Sequence, residues 1–94
     1  MSATLRPEGQ LGVEAALRLR TEGYARLAEG QPLRVDLAAV TGVHSAVVAV
    51  WVELADAAFQ RGLRLELQAP PASVRRLLAM LRLERLLLAD EALA

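Results

Sequence analysis

The sequence predicts an α/β sandwich: a small mixed or parallel sheet covered by helices on one face and exposed on the other. Three observations predict it. Two stretches, LRVDL at 33–37 and LRLELQ at 63–68, alternate apolar and polar residues strictly, the pattern of strands with one buried and one wetted face. Segments of helical length lie before, between and after them. Gly30-Gln31-Pro32, Gly62 and Pro70-Pro71 punctuate the joins, with Gly62 placed where a helix C-terminal cap would sit. The alternation argues against a doubly wound sheet buried on both faces.

From the N-terminus, the first strand is expected at 3–6, and a helix follows at 13–28. Its apolar face reads as Val13, Ala16, Leu17, Tyr24 and Leu27, with Arg20 snorkelling at the edge. The strand at 33–37, a helix at 45–61, the strand at 63–68, a helix at 71–81 and a short strand at 86–88 complete a β-α-β-α-β-α-β order. Helical segments between strands imply crossover connections, hence parallel neighbours and right-handed crossings. Before the first helix there is room for only one convincing strand. A chain of 94 residues without repeats or low-complexity tracts is expected to be a single domain over 1–94. Hydrophobic residues make up 54% and aromatics 3%, so the core must be aliphatic and close-packed.

The stretch VHSAVVAVWV at 43–52 reads as either a buried strand or a helix start, since a short branched apolar run is ambiguous by itself. The residues downstream decide for a helix: at helical spacing Ser45, Ala49, Glu53, Asp56 and Gln60 form one narrow polar stripe. Opposite it, Val47, Trp51, Leu54 and Ala58 belong to the core. A third group, Val48, Val52, Ala55 and Phe59, forms a shoulder beside the stripe. Either a neighbouring helix buries this shoulder or it is an open apolar patch of the kind that marks partner surfaces. Ser45 falls at or near the N-cap, where its oxygen would accept hydrogen bonds from free backbone amides. The same geometry would favour a phosphate added there, because a helix N-terminus attracts anions. His44, the only histidine, is either a surface or capping residue or a protonatable modulator of that helix mouth.

Composition excludes several functions. Eleven basic residues, all arginine, balance eleven acidic ones, so no net field exists to hold a polyanion, and nucleic-acid binding is not expected. The absence of cysteine removes thiolate catalysis and zinc-thiolate sites and suits a reducing cytoplasm, and one histidine excludes a multi-histidine metal site within one chain. The longest uncharged run, 37–52, is too short to span a bilayer, and the N-terminus lacks an export signal, so direct membrane insertion is not expected. There is no Gly-rich phosphate loop and no carboxylate cluster at catalytic spacing. An adjacent His-Ser pair at a helix entrance is poorly arranged as base and nucleophile. An enzyme is the weakest reading, and no cofactor or metal is expected.

The segment VDLAAVTGVHSAVVAVWVELADAAFQRGLRLEL resembles the STAS domain family, the fold of the anti-sigma-factor antagonists, and the resemblance extends from about Gly9 onward. It rests on a strand ending in Asp36-Leu37, a short loop, the hydroxyl residue Ser45 opening a helix, and an alternating strand after Gly62. Within the family the chain is most similar to the MlaB-type small cytoplasmic subunits of Mla phospholipid-transport systems. That resemblance implies a STAS-like sandwich and a non-enzymatic subunit that binds the ATPase of an ABC transporter, and so sits in the cytoplasm beside the inner membrane. The partner-binding residues would be Ser45, Val48, Ala49, Val52 and Phe59, with Arg75, Arg76 or Arg82 at the rim. As the alternative, the likeness to antagonists implies a switch in which a serine kinase or anti-sigma factor is the partner and Ser45 is phosphorylated. Two departures bear on that choice. His44 stands where family members often have Asp, and Ala46-Val47 replaces a glycine soon after the hydroxyl. Both favour a constitutive binding subunit, as does the single N-terminal strand.

Overall fold

Leu33, Val35, Leu65 and Leu67 are buried while Arg34 faces solvent and Asp36, Glu66 and Gln68 lie at intermediate exposure, so the alternation in the sequence is the alternation of two strands in one sheet. The structure is a computed structural model that describes residues 4–89. Three strands, β1 (Thr4–Leu5), β3 (Leu33–Asp36) and β5 (Leu65–Gln68), form a parallel sheet in the order β1-β3-β5. Arg34 pairs in register with Glu66, and ion pairs Arg34–Glu66 at 4.0 Å and Arg6–Asp36 at 3.6 Å lie on its polar face. Such exposed pairs contribute little to stability, so they mark which face is wetted more than they hold the sheet.

A second parallel pair joins β2 (Gly9–Leu11) to β4 (Val40–Val43). Neither strand follows from the sequence pattern, and β2 corrects the expectation of a single N-terminal strand. The register slips between Gly9 and Gln10, where Gly9 adopts φ +72°, a region that glycine enters without strain. Gly42 opposes Gln10 so closely that a Cβ would come within 2.7 Å of the Gln10 side-chain oxygen. The pairing continues past β4 as His44 N–H donates to the Leu11 carbonyl at 2.8 Å, which fixes where the following helix begins.

Four helices complete the order: α1 (Val13–Ala28), α2 (Ser45–Gln60), α3 (Ala72–Met80) and α4 (Glu84–Leu87). The first three end alike. In α2 the Gly62 amide donates to Phe59 and the Leu63 amide to Ala58, and Gly62 takes φ +70°. Gly30 serves α1 in the same way, while in α3 Arg82 holds the left-handed position at φ +59°. The strand expected at 86–88 is mostly α4, but Leu88 does form a parallel bridge to Leu67, and the Ala89 amide donates to Leu67 at 2.9 Å.

The core is aliphatic around one aromatic, Trp51, and Val47, Leu54 and Ala58 lie beside it as expected. The phase of α1 differs from the expectation. Ala16 and Leu27 are buried as expected and Tyr24 packs at the core's edge, but the face is rotated to Ala15, Leu19 and Gly23, while Val13 is 53% and Leu17 63% exposed. The reason is close approach: a Cβ on Gly23 would lie 2.6 Å from Leu54 Cδ1, so α1 turns its small residues toward α2. Arg20 does not merely snorkel. Its guanidinium reaches Glu53 on α2 at 2.9 Å and stands 5.3 Å from the centre of the Tyr24 ring.

Candidate functional site

The mouth of α2 is built from β4 upward. His44 is the N-cap, with extended backbone (φ −76°, ψ 150°), and its Nδ1 accepts the Ala46 amide at 3.0 Å. Its own carbonyl accepts from Val47 at 2.9 Å. The cap expected of Ser45 therefore belongs to His44. Ser45 is the first helical residue, exposed, and its hydroxyl makes no hydrogen bond among the described residues. Since no acidic residue stands in the first turn of α2, the positive end of the helix dipole beside Ser45 is not offset there.

The polar stripe is where the sequence put it: Ser45, Ala49, Asp56 and Gln60 are exposed. Glu53 is drawn aside. Its Oε2 accepts the Tyr24 hydroxyl at 2.6 Å as well as Arg20, which ties α2 to α1. The Tyr24 hydrogen bond, with Arg20's bond and charge added, holds the Glu53 carboxyl below its ordinary range against the opposing effect of desolvation. Reciprocally, that bond, desolvation and the Glu53 charge push the Tyr24 phenol up. Periodicity places Tyr24 in the core and Glu53 in solvent, whereas both lie on the seam between the helices.

The shoulder resolves mostly toward the covered alternative. Val48 is 4% exposed and Ala55 is also buried, so neither side chain is on the free surface, and Val48 is set apart from the other four nominated residues. Helix α4 packs against α2 and brings Arg85 and Leu86 to the groove beside Ala55 and Phe59. Val52 is half-buried, packed against the core from its edge. Phe59 is 76% exposed and borders a groove of about 160 Å³ with Ala55, Leu63, Leu65 and Leu86. Ser45 and Phe59 are fourteen residues apart on one helix, roughly 21 Å along its axis, so they belong to opposite ends of the surface. What the structure brings together is Ser45, Ala49 and the exposed edge of Val52. Of the proposed rim, Arg76 and Arg82 are exposed and Arg75 is partly covered.

Among the described residues no group of three or more His, Cys, Asp or Glu is placed to hold a metal ion, and no helix is long and apolar enough to cross a membrane. The geometry is that of a rigid helix face, suited to contact.

A parallel sheet of short strands wetted on one face, with a helix opening on an exposed hydroxyl residue, defines the class as a small α/β domain with an open helix face. A solved structure described as the anti-sigma factor antagonist SpoIIAA in its unphosphorylated form matches the fold with a TM-score of 0.70 at 16% identity, covering 80% of this chain and 70% of that one. The family model described as "Mlab, STAS domain" matches residues 2–89, and the chain belongs to that family. Comparison with curated proteins finds no match.

Proposed function

We propose that this protein is a non-enzymatic interaction subunit that binds and supports the ATPase of a phospholipid-transporting ABC complex, and that it docks through the open face of the N-terminal half of α2. The observation that carries this reading is that face itself. In a chain of the Mlab STAS family, Ser45 and Ala49 stand free beside the edge of Val52 on a helix whose opposite side is locked into the core. A rigid scaffold presenting small side chains lets a partner approach closely at little ordering cost. Phe59 offers a second, separate contact at the far end of the helix.

Co-expression with the ABC ATPase encoded nearest to it tests the reading. Val52→Asp and Ala49→Arg should each abolish co-purification while helix content by circular dichroism stays that of wild type. Ala49 is exposed, so its variant keeps the test valid should the half-buried aspartate disturb folding. Undiminished capture by folded Ala49→Arg would remove this face from the interface.

A second reading is a phosphoryl switch at Ser45, with a serine kinase or anti-sigma factor as partner. It is favoured by the free hydroxyl at a helix mouth without acidic residues, where added phosphate would be welcomed by the helix dipole and would recharge the docking face. It requires that kinase treatment label wild type and leave Ser45→Ala unlabelled.

A further inference from the structure

The outer face of α1 carries an apolar row that the core does not use. Val13 and Leu17 are the row's large members, both more than half exposed, and Thr21 continues it at the same spacing of four, its hydroxyl donating to the Leu17 carbonyl at 3.1 Å. Around Leu17 and Thr21 the surface opens into a shallow depression of about 290 Å³ that Arg18 and Glu22 also line. Beside this row runs a charged one at the same spacing, Glu14, Arg18 and Glu22, with Arg26 one turn further on. Glu14, Arg18 and Glu22 are exposed and make no ion pair among the described residues. The neighbouring opposite charges Glu14, Arg18 and Glu22 are thus not spent on ion pairs within the chain.

The order of signs selects an occupant. A basic residue followed one turn later by an acidic one, Arg18 then Glu22, becomes its own complement when the second copy is reversed, whereas a parallel copy in register would set like charges together. We infer that the α1 face is a two-fold contact for a second copy of this chain, with the helices antiparallel and the axis crossing the face midway along the helix between Arg18 and Glu22. In that register Arg18 faces Glu22 of the second copy and Glu22 faces its Arg18, while Leu17 and Thr21 of the two copies close over each other's depressions. The pairing requires nothing of Arg26. Only one helix of each chain takes part, so the contact falls at the small end of specific interfaces, below about 1,200 Å² in total, and the dimer is weak and salt-sensitive. The face is separate from Ser45 and Ala49, so the inference stands or falls independently of the ATPase reading.

Sedimentation velocity on the full chain over a concentration series, at low and high salt, tests it. Wild type should move from the 10.1 kDa monomer toward twice that mass as concentration rises, and less so at high salt. Arg18→Glu should raise the dissociation constant on the order of tenfold, by turning two attractive contacts repulsive. The double variant Arg18→Glu/Glu22→Arg should recover wild-type association, because the swap restores both pairs with their signs exchanged. A chain that stays monomeric throughout, a dimer indifferent to Arg18→Glu, or a double variant that fails to recover would each overturn the inference.

Discussion

At the scale of single residues, His44 and Ser45 divide two tasks that the sequence reading had joined in one. An imidazole Nδ1 takes the place of the hydroxyl or carboxylate oxygen that usually caps a helix, and this leaves the neighbouring serine without structural duty. His44→Ala should therefore cost about 1 kcal/mol in urea denaturation, and His44→Asn, which restores a short acceptor, should cost less. Ser45→Ala should stay within about 0.5 kcal/mol of wild type, as expected of an exposed residue without partners. Equal losses at both positions would mean that the cap is shared. The swap was illegible in the sequence because both residues can cap, and only the β2–β4 pairing, which takes up the His44 amide, sets the cap one residue earlier, at His44 rather than Ser45.

At the scale of elements, the α1–α2 seam determines much of the molecule. Gly23→Ala gains helix propensity of about 1 kcal/mol but drives a methyl into the buried Leu54 side chain, which must shift within a packed core. The net effect should be destabilising. The double variant with Leu54→Ala should lose less than the sum of the single losses, since the second change removes the clash. The same seam responds to pH through Tyr24 and Glu53. The folded carboxyl titrates lower than the unfolded one, so its stabilisation is present above the ordinary carboxylate range and lost as pH falls through the folded value. Tyr24 titrates higher when folded, so its contribution is present below the ordinary phenol range and lost as pH rises through the raised value. Tyr24→Phe should flatten stability at both ends of the pH scale, as measured by thermal melts.

Those elements also show what was legible. Helix α2 was read with the right phase because a single polar stripe and a single core stripe run its whole length. Helix α1 was read with the wrong phase because hydrophobicity favours Val13 and Leu17, whereas packing is decided by the smallness of Ala15 and Gly23 opposite Leu54. Strands β2 and β4 escaped because GQL and VTGV are short, contain glycine and do not alternate cleanly.

At the scale of the whole molecule, the fold leaves one sheet face wet, fixes the helices against the other, and turns two helix faces outward with different chemistry. Along the N-terminal half of α2 the outward face is small and nearly uncharged, while on α1 it pairs an apolar row with alternating charge. The candidate site was legible in its centre, Ser45 and Ala49, and not at its margins. Val48 is buried by its tertiary surroundings, which periodicity within one helix does not encode.

The most direct measurement is affinity capture of the tagged protein from its native cells, wild type beside Ala49→Arg, with mass spectrometry of the partners and of Ser45. Recovery of an ABC ATPase by wild type, its loss from the variant, and an unmodified Ser45 are the predicted result. Absence of any ATPase, or its equal recovery by the variant, would contradict docking through α2, and a serine kinase captured with phosphate on Ser45 would put the switch in its place.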